Sequence, residues 1–267
     1  MLGISTYAYL WRGSDRVPEP WTLPQMLADA ASLGAEVFEI CDHAPLEDMG
    51  VARLHELRSL ADDLDLRLAV GTRGVRTAHL RRFLAVAEAL GAGTVRSMVQ
   101  PADTPVDVAR EQLRAALPAY ADAGVELALE TYEQLSTAAL VDLVETVDSP
   151  ALGITLDPGN SVAALERPAD VVAATAAHVK NLHVKDFAFV REPGWVGFTF
   201  SGARLGEGLL DYAAMVEAVA PEERGIDQIV EHWLPWQADA ETTVAAEHDW
   251  TVHSMDYLKN RLRRTHA

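Results

Sequence analysis

The chain has 267 residues, and its 40 acidic side chains against 22 Lys and Arg give a formal net charge of −18. A hydrophobic content of 49% is too high for a disordered chain, and a single cysteine, Cys41, excludes an internal disulfide framework. The acidic balance disfavours a nucleic-acid surface, because phosphates require clustered Lys and Arg. No apolar run approaches a membrane span and no signal peptide opens the chain, so we expect a cytoplasmic protein without nucleic-acid or membrane partners.

Short apolar segments alternate with helical patterns throughout the chain. The predicted strands are residues 2–9, 36–42, 67–72, 94–99, 126–132, 152–157, 180–186 and 226–232. Each is apolar enough to be covered by helices on its outer face, as parallel strands are. One helical segment between them carries an apolar stripe of Leu80, Phe83, Leu84, Ala87 and Leu90. Eight such β-then-α units predict an α/β fold, a single (β/α)8 TIM barrel domain over residues 1–267.

One connection is much longer than the others and runs from residue 187 to residue 207. Segments of this length in compact domains are commonly functional lids or disordered. Disorder is disfavoured here by the aromatic side chains of Phe187, Phe189, Trp195, Phe198 and Phe200. In a barrel this connection follows the seventh strand, on the catalytic face. We therefore predict a lid, with a loop packed on the rim for stability as the alternative.

Four neighbouring strands end in a side chain that can bind a metal ion or move a proton. The fifth to eighth predicted strands end in Glu130, Asp157, His183 and Glu231. A single acid at such a place is usually a helix cap, but four on adjacent strands of a closed barrel must converge. Crowded carboxylates repel unless a cation lies among them. Oxygen ligands with one imidazole suit Mn²⁺, Mg²⁺ or Co²⁺ better than a structural zinc ion, although Zn²⁺ stays open.

These residues and two further motifs carry a family resemblance over nearly the whole chain. The motifs are Leu-His183-Val-Lys-Asp and Leu205-Gly-Glu-Gly-Leu-Leu-Asp-Tyr212. Together they resemble the xylose isomerase-like TIM barrel superfamily of sugar phosphate isomerases and epimerases. The resemblance implies one divalent metal ion, for which we expect Mn²⁺, held by Glu130, Asp157, His183 and Glu231. It also implies a small-molecule sugar substrate and is compatible with a homo-oligomer.

The resemblance further implies that Glu130 and Glu231 act as acid and base on opposite faces of the substrate. A sugar carbonyl and its neighbouring hydroxyl can chelate a metal ion that stabilises a cis-enediolate. One carboxylate would remove a proton and the other would return it, giving epimerisation or isomerisation. A metal-dependent sugar isomerase or epimerase is thus the main prediction. The sugar 3-epimerases of this superfamily carry a histidine three residues after the aspartate, where this chain has Asn160.

Lys185 supports an alternative within the same chemistry. It lies two residues after His183, on the same side of the strand, and could neutralise an oxyanion or a substrate carboxylate. The alternative is a metal-dependent lyase, a dehydratase or decarboxylase of a keto-sugar acid. A structural salt bridge would equally explain Lys185. A barrel that only binds sugars, and an apurinic-site endonuclease with a multi-metal, histidine-rich cluster, are further alternatives.

Several other side chains are candidates for substrate contact. His43 ends the second strand and could bind substrate or form a hydrogen bond at the rim. Tyr7 could stack on a sugar or pack in the core, and Trp233 could form a pocket wall. Arg204 could reach a substrate anion or brace the lid, and Asn160 replaces the epimerase histidine. No glycine-rich phosphate cradle follows the last strands, which favours an unphosphorylated substrate.

Overall fold

A computed structural model describes the backbone of residues 1–265 and their side chains, except those of Trp195, Arg264 and Thr265. Eight parallel strands close into a barrel, and a two-stranded antiparallel hairpin stands beside it. The strands are β1 Leu2–Ser5, β2 Val37–Cys41, β3 Arg67–Gly71, β4 Thr94–Ser97, β5 Glu126–Glu130, β6 Leu152–Leu156, β7 Val179–Val184, β8 Phe187–Arg191, β9 Phe198–Gly202 and β10 Asp227–Val230. The order around the barrel is β1-β10-β7-β6-β5-β4-β3-β2, so the predicted TIM barrel is confirmed.

Helices surround the barrel and cover the outward faces of its strands. They are α1 Leu23–Ser32, α2 Val51–Asp63, α3 Thr77–Leu90, α4 Val106–Ala123, α5 Thr137–Val147, α6 Pro168–Thr175, α7 Tyr212–Val219, α8 Pro221–Arg224 and α9 Ala240–Thr265. The predicted stripe on α3 is buried against the barrel. Helices α3 and α4 end at Gly91 and Gly124, both at a φ of 68°, which glycine adopts without steric cost. Within the described part of the chain, no helix is both long and apolar enough to cross a membrane.

Two predicted boundaries differ from the structure for local reasons. Strand β1 ends at Ser5, because the Ser5 hydroxyl accepts the N–H of Tyr7 and begins a 3₁₀ turn over Thr6–Tyr9. The long connection forms a hairpin, in which β8 and β9 pair in antiparallel register. Phe187 lies opposite Gly202 at one end, and Arg191 lies opposite Phe198 at the other. The side chain of Trp195, predicted as part of the lid, lies outside the described residues.

The barrel interior changes from apolar to charged along its axis. Near the N-terminal ends of the strands, Val37, Ala69 and Ile229 form a small buried cluster. Gly3 leaves the space that Ile229 fills, since a β-carbon there would lie 2.5 Å from the Ile229 side chain. Towards the C-terminal ends the inward positions are polar, and they include Glu39, Arg96, Glu130, Asn181 and His183, all buried. The fold thus brings the polar ends of its strands into one enclosed volume.

Candidate metal centre

His183, on β7, lies at the centre of the polar volume and is fully buried. Its Nε2 lies 2.9 Å from a carboxylate oxygen of Glu39 on β2. Its Nδ1 faces three other carboxylates, at 3.2 Å from Glu130, 3.5 Å from Glu231 and 3.9 Å from Asp157. Burial lowers the pKa of His183, but the surrounding carboxylates outweigh it, so the pKa lies well above its usual value. One ring nitrogen is therefore fixed by Glu39 while the other faces the converging acids.

Lys185, two positions further along β7, adds a buried cation to this group. Its Nζ lies 2.6 Å from Asp157 and 3.4 Å from Glu231, and it donates to the side-chain oxygen of Asn160 at 3.1 Å. Asn160 donates in turn to Glu130 at 3.0 Å. Asn160 begins the 3₁₀ turn after β6, where the backbone N–H groups of residues 159 and 160 point at Asp157. The turn thus fixes both Asp157 and Asn160 against Lys185.

The two glutamates of the group have unequal surroundings. Glu130 pairs with the Nη2 atom of Arg96, on β4, at 2.6 Å. Burial raises the pKa of Glu130, but Arg96, His183 and Lys185 outweigh it and lower the pKa to about 2. Glu231 accepts a hydrogen bond from the Ser5 hydroxyl at 3.0 Å, and burial raises its pKa in spite of His183 and Lys185. The surroundings therefore favour the charged form of Glu130 more than that of Glu231.

The donor set fits a divalent metal ion. One atom each from Glu130, Asp157, His183 and Glu231 lies within 4.8 Å of the others, and all four residues are buried. The interior carboxylates Glu39, Glu130, Asp157 and Glu231 face two permanent cations, Arg96 and Lys185. That excess of negative charge in a region of low dielectric is what a bound dication would neutralise. Among the described residues, the groups able to hold a metal include one histidine, His183.

On the opposite side of the barrel mouth, Tyr7 and His43 line the same two cavities. The Tyr7 hydroxyl donates to Asp42 at 2.7 Å and accepts from Arg73 at 2.9 Å. His43, half-buried beside it, precedes a short 3₁₀ turn, and burial lowers its pKa. The two predicted contact residues therefore meet at the rim, together with a salt bridge between Asp42 and Arg73 at 3.0 Å.

Trp233 and the hairpin form an aromatic wall beside Lys185. The Trp233 ring lies 4.1 Å from the Lys185 Nζ, a cation–π contact. Phe200, on β9, meets the Trp233 ring edge-on at 5.6 Å, and Phe187 packs on Phe200 at 5.5 Å. Gly202 permits this packing, because a β-carbon there would lie 2.6 Å from the Trp233 carbonyl oxygen.

Arg204 does not join the predicted site residues. Its guanidinium contacts Glu207 at 3.1 Å and Asp249, on α9, at 3.1 Å. Arg204 lies within the segment predicted as a lid, but the hairpin ends at Gly202 and the chain then turns towards α9. Of the two roles predicted for Arg204, these contacts favour bracing the chain over binding a substrate anion.

Three residues that contact the site were not singled out from the sequence. Arg96 is buried and pairs with both Glu130 and Asp42. Glu39 holds His183, and the Asp42 carboxylate lies between Arg73 and Arg96. The sequence does carry a signal for such residues, namely an ionisable side chain at an inward position of an apolar strand. Because an unpaired charge is too costly to bury, such a residue indicates a charged partner nearby.

Comparisons with known proteins agree with this geometry. The chain is 52% identical to the 3-oxo-isoapionate decarboxylase of Pectobacterium atrosepticum over 262 residues, or 97% of this chain and 95% of that protein. A xylose isomerase-like TIM barrel protein from Mycobacterium smegmatis, solved in complex with magnesium, is 17% identical with a TM-score of 0.69, over 95% of this chain and 97% of that one. A D-psicose 3-epimerase solved in the presence of D-fructose is 15% identical with a TM-score of 0.71, over 96% and 97% of the two chains. At such identities the two solved structures show the fold alone.

The relative at 52% identity overturns the main functional prediction from the sequence. A sugar isomerase or epimerase was expected, whereas this relative is a decarboxylase and therefore a lyase, as in the alternative. The error has a chemical cause, because isomerases, epimerases and lyases of this kind can share one metal site. The four converging residues predict that site but not which bond of the substrate breaks.

The family assignment rests on a match that covers most of the chain. A family model described as "Xylose isomerase-like TIM barrel" matches residues 27–261, which include all of the converging side chains. The closed parallel barrel and the buried acids at its strand ends agree with that match. This chain belongs to the xylose isomerase-like TIM barrel family.

Proposed function

We propose that this chain is a metal-dependent decarboxylase of a small 3-oxo sugar acid. The observation that carries the proposal is the 52% identity, over 97% of the chain, to a 3-oxo-isoapionate decarboxylase. In a 3-oxo acid, the carbonyl two carbons from the carboxylate accepts the electron pair of the breaking bond. Carbon dioxide leaves, C2 and C3 become an enolate, and a proton added at C2 gives the ketone.

The unequal glutamates support decarboxylation, which needs one proton donor rather than a pair of exchanging bases. Glu130 is tied to Arg96 at 2.6 Å and is held ionised, so it is a poor proton carrier. Glu231 accepts the Ser5 hydroxyl at 3.0 Å rather than an arginine, which leaves it better able than Glu130 to take up a proton and deliver it to C2. We assign Glu231 as the proton donor and Glu130 as an ionised ligand.

Lys185 is proposed to bind the developing enolate oxygen. Neighbouring acids keep its pKa above the usual value although burial lowers it, so the ammonium stays charged. Asp157, Asn160 and the Trp233 ring hold it in place before substrate arrives. A fixed cation beside a developing negative charge lowers the barrier without reorganisation during the reaction.

Glu130, Asp157, His183 and Glu231 would hold the metal ion, with Glu39 orienting His183 through the other ring nitrogen. When bound, the ion supplies a Lewis acid for the substrate oxygens. We propose Mn²⁺, because three carboxylates and one imidazole form a mainly oxygen donor set. Elemental analysis of protein purified without added metals tests this identity, and a different dominant ion would refute it.

The decisive experiment follows carbon dioxide release from 3-oxo-isoapionate by the Mn²⁺-loaded protein in D₂O. We expect one deuteron in the product for each carbon dioxide released. Glu231→Gln should lower kcat by about 10²–10³-fold, since it removes the proton donor. Glu217→Gln, a change in helix α7 outside the site, is the matched control and should leave the rate unchanged. No carbon dioxide release by the wild-type protein would refute the function.

A further inference from the structure

Arg73, in the connection after β3, is a charged group at the barrel mouth that the proposed mechanism does not use. Its side chain is 46% exposed and lines a cavity of about 470 Å³, together with Tyr7, Asp42, His43, Thr72 and His79. Most of the centre described above is closed to solvent, with exposures of 4% or less at the acids and at Lys185. The cavity at Arg73 is thus an accessible polar space at the same end of the barrel.

The Arg73 guanidinium is fixed through Nε and Nη2, which leaves its Nη1 group to bind another acceptor. Its Nε and Nη2 both donate to Asp42 at 3.0 Å, and Nη2 also donates to the Tyr7 hydroxyl at 2.9 Å. Nη1 has no acceptor among the described residues of the chain. A guanidinium whose plane is fixed by one carboxylate is pre-organised to bind a second planar anion with little further loss of entropy.

The charges around this arginine leave it able to attract an anion. Asp42 is shared between Arg73 and the buried Arg96, which lies 3.3 Å from it. Glu47, the other acid lining the cavity, lies 3.8 Å from Arg82 and from His79. Each acid of the cavity therefore already has a cationic or histidine partner, and an incoming carboxylate can accept from the Nη1 group of Arg73.

The backbone of Asp42 has a conformation that is unusual for a residue other than glycine. Its φ of 48° is left-handed, which costs energy for a residue other than glycine. That backbone places its carboxylate where Tyr7, Arg73 and Arg96 all contact it. Because Arg96 also pairs with Glu130, a chain of three ion pairs links Arg73 to a candidate metal ligand.

We propose that Arg73 binds the carboxylate of the substrate and selects sugar acids over neutral sugars. The inference rests on the proposed function for the nature of the acid, and it adds a residue that no comparison assigns. A carboxylate loses its charge as carbon dioxide forms, so a cation on it stabilises the bound substrate more than the transition state. Loss of Arg73 should therefore raise KM for the 3-oxo acid without lowering kcat.

The test compares D-gluconate with its uncharged amide, D-gluconamide, by titration calorimetry. Wild-type protein should bind gluconate more tightly, and Arg73→Gln should weaken gluconate binding by about 10–100-fold, the value of a charged hydrogen bond, without affecting gluconamide. Arg76→Gln is the control, since Arg76 is an exposed arginine three positions away that pairs with Asp103 at 2.8 Å. Arg73→Lys keeps the charge and should retain part of the preference, which guards against a folding defect in Arg73→Gln.

Titrations in EDTA and in Mg²⁺ separate binding by Arg73 from binding by a metal ion. Wild-type protein without a preference for gluconate overturns the inference, and so does a preference that appears only with Mg²⁺ and survives Arg73→Gln. If the gluconate preference depends on Arg73 but no carbon dioxide is released from the 3-oxo acid, the carboxylate site stands and the decarboxylase proposal fails. If carbon dioxide is released and Arg73→Gln leaves KM unchanged, Arg73 is not the binding group.

Discussion

The two sides of the barrel mouth differ in how completely their charges are enclosed. On the side of β5, β6, β7 and β10, the converging acids and Lys185 are at most 4% exposed. On the side of β1, β2 and β3, the Arg73 side chain is 46% exposed beside half-buried Tyr7 and His43. The enclosed side suits chemistry, because charges act most strongly where water is excluded, and the open side suits recognition, because a substrate must reach it. Substitutions on the enclosed side and on the open side should therefore differ in their effects on activity and stability.

Removing His183 should have the largest effect. His183→Ala takes away the imidazole of the candidate metal ligands, so we expect loss of bound metal and a fall in decarboxylation of at least about a thousandfold. Elemental analysis and carbon dioxide release measure the two effects. His43→Ala, on the open side, is the control and should retain the metal. A His183→Ala protein with full metal content would show that His183 is not a required metal ligand.

Two arginines offer a direct comparison of stability between the two sides. Arg96→Met leaves Glu130 buried without its partner at 2.6 Å, so the free energy of unfolding should fall by about 3–5 kcal/mol. Arg73→Met breaks an ion pair of a half-exposed arginine and should cost about 0–1 kcal/mol. Urea unfolding in EDTA, which removes any stabilising metal, measures both. Equal losses would contradict this difference between the two sides.

Asp186, after β7, holds the chain that follows the hairpin. Its carboxylate accepts the N–H groups of Gly206, Gly208 and Leu210 at 2.8–3.0 Å. In Asp186→Asn, the side-chain amide would turn its own N–H donors towards backbone N–H donors. The free energy of unfolding should therefore fall by about 2–3 kcal/mol, with faster amide exchange over residues 203–210. The control is Asp211→Asn, because asparagine caps a helix as well as aspartate does and Asp211 caps α7. Unchanged exchange in Asp186→Asn would show that another group holds this segment.

Glu247, on α9, holds the segment after β1 on the open side and should give the smallest effect. It accepts the N–H groups of Trp11 and Arg12 at 2.7 and 2.9 Å, and burial raises its pKa to about 7. The folded protein therefore holds this proton more tightly than the unfolded chain, whose glutamate pKa is about 4.3. Through this group, stability is highest below about pH 4.3 and falls as the pH rises to about 7.

Glu247→Gln should remove that fall. The glutamine amide places a donor against one of the two backbone N–H groups, which costs stability at every pH. From pH 5 to pH 8, however, the difference in stability should shift by about 1–2 kcal/mol in favour of the variant. Urea unfolding at several pH values measures the difference, with exposed Glu241→Gln as the control on the same helix. A constant difference between Glu247→Gln and the wild type at all pH values would show that Glu247 stays ionised.

Much of the barrel and the converging acids could be predicted because both leave local patterns. Apolar runs and helical stripes indicate the alternating elements, and parallel strands in a barrel direct their C-terminal residues to one mouth. An apolar run precedes each of Glu130, Asp157, His183 and Glu231, so the sequence could predict that these side chains converge. The role of each residue stays a prediction. Arg204 could not be placed, since its position depends on where the hairpin ends.

The sequence by itself determined the class of fold, the eight strands and the four residues that converge, because these depend on periodicity and on the shared direction of parallel strands. Only the tertiary structure decided which partners those residues have. Arg96 pairs with Glu130 and Glu39 with His183, across residue separations of 34 and 144. The pair with Arg96 lowers the pKa of Glu130, whereas burial raises that of Glu231, and both effects depend on neighbours in space rather than in sequence.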